Sequence, residues 1–365
     1  MDTVVVKFGG TSLASQESRA QAISHIEALR TEQSEVVVVV SAMGRKGSPY
    51  ATDTLLSLVH DNNTAPAIQD LLMSCGETIS ACVFANTLTQ YGIRAVAMTG
   101  AQAGIVTDST FGRADIFDID TTRVKTALYE GKMPVITGFQ GVNVRGEITT
   151  LGRGGSDTSA VTIGGFLKAK DIYIFTDVPG IAITDPRIVP AAPFLEEVGL
   201  RQMHALARWG AGVIHPRAVA AAERHGVNVW VRSTFDKQPG TKLSKNARMR
   251  PGPVGIALLR GYDVTQCGQE DDLIVYEGKR RLAVRTAPGS GYSLLTVVFN
   301  GWNTQEMLAS MGETVKSARC FYSESCVHVL AVADEAVSVA QELYARLFEN
   351  VLPTDRQIRK RKEGT

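Results

Sequence analysis

The chain of 365 residues is poor in cysteine, and its 5 cysteines show no CxxC spacing. A paired zinc site and the disulfide framework of a small secreted protein are therefore both excluded. Cys75 and Cys82 are separated by two helical turns within one helical pattern. This spacing predicts that the two thiols share one buried helix face.

An excess of charge of either sign is also missing. Lysine and arginine total 38 against 37 acidic residues, so the formal net charge is only +1. This balance gives no electrostatic support for binding nucleic acid or a membrane surface. An anionic ligand would have to be bound by local features such as glycine loops and helix N-termini.

Long apolar runs are missing as well, since none approaches the roughly 20 residues that a membrane helix needs. The first residues, Met1 to Lys7, lack the charged and apolar regions of a signal peptide. We therefore expect a soluble, cytoplasmic protein. Hydrophobic residues make up 44% of the chain, which is typical of a globular protein with a large core.

The first two thirds of the sequence contain short β-branched runs that alternate with amphipathic stretches. This alternation predicts an α/β fold with a mainly parallel sheet sandwiched by helices. In such folds ligands bind at the carboxyl ends of the strands, where the glycine clusters of this chain occur. The predicted strands are Val4–Val6, Glu35–Val40, Arg94–Met98, Pro134–Thr137, Ile172–Thr176 and Asn228–Arg232.

A domain boundary is predicted near Gln238–Pro253, where Pro, Gly, Lys and Arg occur together without periodicity. The short strands and two helices beyond it predict a smaller α+β domain. The predicted organisation is one domain over 1–245, a second over 254–350 and a basic tail over 351–365.

The first glycine loop is Lys7-Phe8-Gly9-Gly10-Thr11-Ser12, between the first strand and the first helix. Its glycines let the backbone approach an anion closely, and Lys7 can neutralise a phosphoryl group. The loop lacks the GxxxxGK[ST] spacing of a Walker A motif. A plain tight turn explains the same residues.

The second glycine loop is Gly152-Arg153-Gly154-Gly155-Ser156-Asp157-Thr158-Ser159-Ala160. A turn followed by an N-cap explains its glycines, but it does not explain Arg153. A guanidinium in this setting suits bidentate binding of a carboxylate or phosphate. Glu77, in Ser74-Cys75-Gly76-Glu77-Thr78, is either an exposed acid in the first turn of a helix or a carboxylate that binds an ammonium group.

These motifs, taken together, resemble the aspartate kinases (aspartokinases) of the amino acid kinase superfamily. The resemblance covers essentially all of residues 1–245 and preserves the order of the motifs in that family. The further matching segments are Val40-Ser41-Ala42-Met43-Gly44, Thr99-Gly100-Ala101-Gln102-Ala103-Gly104, Phe175-Thr176-Asp177-Val178-Pro179-Gly180, Thr184-Asp185-Pro186-Arg187 and Ile214-His215-Pro216-Arg217-Ala218-Val219.

The resemblance implies ATP-dependent phosphorylation of the β-carboxylate of L-aspartate, the first step of lysine, threonine and methionine biosynthesis. Mg²⁺ is expected to bridge phosphate oxygens with few protein ligands, and no residue is assigned to the metal. The catalytic residues implied are Lys7, Arg153 and Asp157. The implied substrate pocket consists of Ser41, Glu77, Phe139, Arg153, Ser156 and Asp157. The implied ATP site consists of Lys7, Gly9, Gly10, Ser12, Gly154, Gly155, Thr176, Asp177 and Arg187.

Three features depart from the family pattern. Pro179 replaces a common aspartate, and Gly212 replaces a common lysine. The C-terminal domain is short for the two ACT domains of the family. We expect a degenerate ACT-like region that supports a homodimer or higher homo-oligomer and has lost or weakened the binding of lysine or threonine.

Two alternatives stay open beside an active aspartate kinase. One is a related kinase of another small amino acid. The other is a catalytically weak subunit that regulates a partner kinase, which Gly212 and Pro179 favour and which the intact Lys7 and Arg153 argue against.

Overall fold

The computed structural model describes residues 2–30, 34–59, 64–268, 273–312 and 318–349. The chain folds into two compact units. The first comprises Met1–Ile181, Leu195–Arg201 and Val213–Ala247, and the second comprises Ala182–Phe194, Gln202–Gly212 and Arg248–Thr365. The predicted basic tail at 351–365 lies outside the described residues.

The first unit contains twelve strands among its described residues, and they form two sheets. They are β1 (Asp2–Phe8), β2 (Ser34–Val40), β3 (Ala95–Met98), β4 (Ile105–Thr107), β5 (Ile116–Ile119), β6 (Met133–Thr137), β7 (Gln140–Val142), β8 (Ile148–Thr150), β9 (Asp171–Thr176), β10 (Glu197–Gly199), β11 (Val229–Ser233) and β12 (Thr241–Ser244). The larger sheet has the order β10-β12-β11-β9-β1-β2-β6-β3, and the smaller has the order β5-β4-β7-β8.

The larger sheet is parallel except for the antiparallel pair β11–β12. Its central strands are nearly continuous runs of valine and isoleucine because both faces of the sheet are covered. The ring of Phe8 at the end of β1 stacks on Phe175 with centroids 5.0 Å apart and meets Phe84 edge-on at 5.8 Å. This core fixes the carboxyl ends of β1 and β9 side by side, which confirms the predicted parallel α/β fold.

The helices of the chain before residue 226 are α1 (Gly10–Leu13), α2 (Gln16–Leu29), α3 (Thr52–Leu56), α4 (Pro66–Gln90), α5 (Thr122–Tyr129), α6 (Gly155–Leu167), α7 (Leu200–Arg208) and α8 (Pro216–His225). Most of α7 belongs to the second unit. A short 3-10 helix, Ser57–Val59, extends α3.

Helix α4 is long and apolar enough to cross a membrane, by length and composition alone. Half of its most apolar 18-residue stretch is buried inside the protein. It packs against β2, β3, β6 and β8, and its Asp70 and Glu77 side chains are buried inside the first unit. These contacts make α4 a core helix. Cys75 and Cys82 do share one of its faces, but both are exposed. The prediction of a buried thiol face is therefore wrong, because Gly76, Ala81 and Phe84 occupy the inward face.

The second unit contains a seven-stranded antiparallel sheet with the order β13-β17-β19-β18-β15-β16-β14. Its elements are β13 (Gly252–Arg260), β14 (Tyr262–Gln266), β15 (Ile274–Glu277), β16 (Arg280–Thr286), β17 (Tyr292–Asn300), α9 (Thr304–Met311), β18 (Arg319–Ser323), β19 (Cys326–Val332) and α10 (Ala336–Tyr344), which a π-helical turn, Ala345–Glu349, extends. The antiparallel sheet and helices confirm the predicted α+β character.

The segment Gln238–Pro253, predicted to be irregular, contains β12 and the start of β13. Strand β12 has only four residues, so no alternation is visible in the sequence. Pairing with β10 and β11 stabilises it, and such pairing is a tertiary effect.

Candidate active site

A cavity of about 550 Å³ lies in the first unit, and the segments that follow β1, β2, β6 and β8 line it. This location at the carboxyl ends of the central parallel strands is the one predicted from the alternation of strands and helices. Ten of the predicted site residues line the cavity: Lys7, Gly10, Ser41, Glu77, Phe139, Arg153, Gly154, Gly155, Ser156 and Asp157.

The first glycine loop turns directly out of β1. The amide of Gly9 donates to the carbonyl of Phe175 over 3.2 Å, so the loop stays attached to the neighbouring strand β9. A Cβ on Gly10 would lie 2.4 Å from the carbonyl oxygen of Gly44 and 2.5 Å from that of Ala42. Only glycine allows this close approach of the segments after β1 and β2.

Lys7 and Asp157 form an ion pair inside the cavity. Their Nζ and Oδ1 atoms are 2.7 Å apart, and both side chains are largely buried, with 11% and 13% exposure. The lysine comes from the end of β1 and the aspartate from the first turn of α6. The pair therefore joins the two glycine loops and orients the ammonium of Lys7.

The second glycine loop depends on its glycines for conformation and for space. Gly154 precedes α6 with a φ of 68°, and a Cβ there would lie 2.1 Å from the Cβ of His215. A Cβ on Gly155 would lie 2.8 Å from the ring of Phe139. His215 caps α8 by accepting from the amide of Arg217 at Nδ1.

Phe139 adopts a left-handed backbone conformation with a φ of 68°, which is unusual for an aromatic residue. Its amide donates to Oγ of Ser159 over 3.0 Å, and its carbonyl accepts from the amide of Leu151 over 2.8 Å. Two anchors on different segments thus maintain a strained residue at the cavity wall.

Glu77 lies in the middle of α4 and is only 2% exposed. The interpretation as an exposed acid in a first helical turn is therefore wrong. Its Oε1 accepts from the amide of Ala42 over 3.0 Å, while Oε2 is buried without a hydrogen-bond partner among the described residues. Burial raises the pKa of this carboxyl to about 8. An unpartnered, buried carboxylate oxygen at a cavity wall fits a cationic ligand group.

Five predicted residues do not line the cavity. Oγ of Ser12 is hydrogen-bonded to Oγ1 of Thr234 over 2.7 Å, and Thr176 donates to Oδ1 of Asp177 over 3.2 Å. Asp177 is also ion-paired with Arg45. Gly9 borders the cavity residue Gly10, and Arg187 belongs to the second unit, where it pairs with Asp185 over 2.6 Å.

The cavity also contains residues that sequence reasoning did not select. Two are cations, Arg45 and Lys46, and others are Thr52, Asp53, Met73 and Thr150. The signal for Arg45 and Lys46 is their position directly after the matching segment that ends at Gly44. No comparable signal exists for Thr150, because only the tertiary structure brings it to the cavity.

Within the described residues, no group of three or more His, Cys, Asp or Glu side chains could bind a metal ion. The cavity lining does contain two aspartates, Asp53 and Asp157, and carboxylate oxygens suit Mg²⁺ when phosphate oxygens and water complete its coordination. Gly212 lies in the second unit, and a Cβ there would meet no described atom within 4 Å. Packing therefore does not require glycine at that departure from the family pattern.

Comparison with known proteins adds independent findings. A profile of the amino acid kinase family matches residues 2–233. Aspartokinase 1 of Bacillus subtilis is 44% identical over 275 residues, which cover 73% of this chain and 68% of that protein. The aspartokinase of Geobacillus stearothermophilus is 43% identical over 251 residues, and this chain spans 60% of its length.

Solved structures show the same fold. Escherichia coli aspartokinase III in complex with aspartate and ADP superposes with a TM-score of 0.79 at 23% identity, over 95% of this chain and all of that chain. Clostridium acetobutylicum aspartate kinase superposes with a TM-score of 0.71 at 18% identity. At these identities the likeness concerns the fold alone.

Proposed function

Given that the chain belongs to the aspartokinases of the amino acid kinase family, we propose that it transfers the γ-phosphoryl group of ATP to the β-carboxylate of L-aspartate. The product is 4-phospho-L-aspartate, and the reaction is the first step of lysine, threonine and methionine biosynthesis. We further propose a cytoplasmic homodimer or higher homo-oligomer.

The observation that carries this proposal is the unpartnered Oε2 of Glu77 in the same cavity as Arg153 and the ion pair of Lys7 with Asp157. An α-amino acid presents one ammonium and one carboxylate at a fixed separation. Glu77 and Asp157 bind the ammonium, and Arg153 binds the α-carboxylate through its guanidinium. Ser41, Phe139 and Ser156 complete the wall of the pocket.

The chemistry requires positioning and charge neutralisation more than proton transfer. The attacking β-carboxylate has an ordinary pKa of about 3.9 and is ionised at neutral pH. No general base is required. Lys7 neutralises the charge that develops on the transferred phosphoryl group, and the glycine loops keep ATP in line with the carboxylate. Bound Mg²⁺ would neutralise phosphate oxygens.

The remaining ATP contacts are assigned to Gly9, Gly10, Ser12, Gly154 and Gly155. Thr176, Asp177 and Arg187 are assigned to the nucleotide side. For the domains we propose a catalytic domain over 1–245 and a degenerate ACT-like domain over 254–350, which supports association and binds lysine or threonine weakly or not at all.

Trapping of the acyl phosphate with hydroxylamine tests the function. The purified chain with ATP, Mg²⁺ and L-aspartate is expected to form aspartyl hydroxamate. Lys7→Ala is expected to lower kcat by about a hundredfold or more, since a charge that acts on the transition state is removed. Lys132→Ala is a matched control, because Lys132 is a half-exposed lysine paired with Glu130.

Hydroxamate that depends on aspartate, persists in Lys132→Ala and disappears in Lys7→Ala would establish the kinase. ATP binding without any hydroxamate would contradict the proposal. That outcome would favour another amino acid substrate or a regulatory subunit.

A further inference from the structure

Asp70 is a buried acid that the proposed chemistry does not use. It is 1% exposed and lies on α4 two turns before Glu77. Its Oδ2 accepts from the amide of Thr150 over 2.7 Å and from the amide of Gly112 over 2.9 Å. Its Oδ1 accepts from the hydroxyl of Thr150 over 2.7 Å. Both partners line the cavity. The carboxylate therefore holds two cavity segments, at 108–116 and 150–153, with three hydrogen bonds.

The same two segments are held from another helix by a cation. Arg217, on α8, donates to the carbonyl of Leu151. It also donates to the carbonyl of Ala114 over 2.6 Å and pairs with Asp115. Asp70 thus binds N–H and O–H groups of these segments, whereas Arg217 binds their carbonyl oxygens.

The two segments also contact each other directly beside Arg153. The amide of Ala114 donates to the carbonyl of Thr150 over 2.9 Å. A Cβ on Gly152 would lie 2.7 Å from the carbonyl oxygen of Gly112. The backbone that leads into Arg153 is therefore held by the segment at 108–116. Asp70 and Arg217 in turn hold that segment.

We propose that Asp70 and Arg217 are positioning residues that set the location of Arg153 relative to Glu77, and hence the affinity for the amino acid substrate. This inference rests on the proposed function. Asp70 is on the same helix as Glu77, so its hydrogen bonds fix the distance between the two groups that bind the ammonium and the α-carboxylate. Neither Asp70 nor Arg217 needs to touch the substrate.

Asp70→Asn tests the inference, because the variant replaces one carboxylate oxygen by an NH₂ group that faces hydrogen-bond donors. The KM for aspartate is expected to rise on the order of tenfold to a hundredfold, since hydrogen bonds to a buried charged group are lost. The KM for ATP is expected to change less than about twofold, because α6 separately holds Gly154 and Gly155. Thr150→Val, which leaves Asp70 intact and removes one hydroxyl donor, is expected to raise the aspartate KM on the order of threefold to tenfold.

Thr87→Val is the matched control, because Thr87 is a buried residue of the same helix whose hydroxyl donates to the carbonyl of Val83. It is expected to change neither KM. Hydrogen exchange of the segments at 108–116 and 150–153 is measured in parallel. Asp70→Asn and Thr150→Val, but not Thr87→Val, are expected to accelerate it.

An unchanged aspartate KM together with unchanged exchange in both Asp70→Asn and Thr150→Val overturns the inference. A wild-type chain without aspartate-dependent turnover instead contradicts the proposed function, and the exchange data then still decide whether Asp70 holds the two segments.

Discussion

Glu77 and Phe139 are residues that the fold holds in unfavourable states at the cavity wall. Glu77 is an acid in a site where burial raises its pKa to about 8. Phe139 has a positive φ that an aromatic residue rarely adopts. Such costs persist where the surrounding structure compensates for them, and they concentrate at functional sites.

Replacement of Glu77 by Gln is expected to weaken aspartate binding and to stabilise the apo protein. Between the ordinary pKa of 4.5 and the raised value of about 8, the unfolded state ionises while the folded state stays protonated. The free energy of unfolding of the wild type therefore falls as pH rises, by up to about 1.4 kcal/mol per pH unit. Glu77→Gln is expected to remove this loss, which thermal unfolding from pH 5 to pH 8 measures.

The substrate ammonium binds the ionised form of Glu77, so the wild-type KM for aspartate is expected to fall as pH rises towards 8. In Glu77→Gln the KM is expected to be about tenfold higher or more and to lose this pH dependence. A variant that is no more stable than the wild type at pH 8 would contradict the assignment of a protonated, buried Glu77.

The connection from β8 to α6 shows at the scale of an element how backbone geometry builds a ligand loop. Gly152 and Gly154 both have positive φ values. The loop ends at α6, a helix of thirteen residues whose N-cap, Gly154, makes no side-chain capping hydrogen bond. A helix N-terminus of this kind can bind an anion. Packing of Phe139 and His215 against the glycines leaves no room for a side chain.

Gly154→Ala is expected to abolish activity and to destabilise the chain by several kcal/mol, because left-handed strain adds to a collision with His215. Gly146→Ala is the matched control, since Gly146 has a φ of 79° and a Cβ there would meet no described atom within 4 Å. The control is expected to lose only about 1 kcal/mol of stability and to keep its activity. Equal losses of stability and activity in the two variants would show that the collision with His215 does not contribute to the effect of Gly154→Ala.

At the scale of the whole molecule, the two units carry buried groups with opposite pH linkage. Burial of Glu77 lowers the stability of the first unit as pH rises, whereas burial of His328 lowers the stability of the second unit as pH falls. The His328 ring is fully buried between Thr296, at 2.8 Å from Nδ1, and Ser323, at 2.7 Å from Nε2. It also packs on Trp209 with ring centroids 4.3 Å apart. Burial lowers the pKa of His328 to about 3.

The stability that neutral His328 contributes is fully present above pH 6.5 and is lost as pH falls towards 3. The wild type is expected to lose up to about 1.4 kcal/mol per pH unit in this range from this group. His328→Gln is expected to be less stable at pH 7 but to show a shallower loss between pH 6.5 and 4. Urea unfolding of both proteins at several pH values measures this loss. An equally steep fall in the free energy of unfolding of both proteins would contradict the linkage.

The sequence by itself determined the parallel α/β fold, the positions of six strands of the larger sheet and the residues of the two glycine loops. These features depend on local periodicity and on short segments, because hydrophobic alternation and glycine clusters are visible without knowledge of distant contacts. The short strand β12 and the burial of Glu77 were decided by tertiary structure.

Only the tertiary structure decided which groups face each other. The pairing of Lys7 with Asp157 joins residues 150 positions apart in sequence, and the contacts of Asp70 with Gly112 and Thr150 join three segments that share no motif. The exposure of Cys75 and Cys82 likewise depends on which face of α4 meets the sheet. Sequence spacing fixes a residue's place on its own element, but burial and charge pairing arise from the packing of elements against one another.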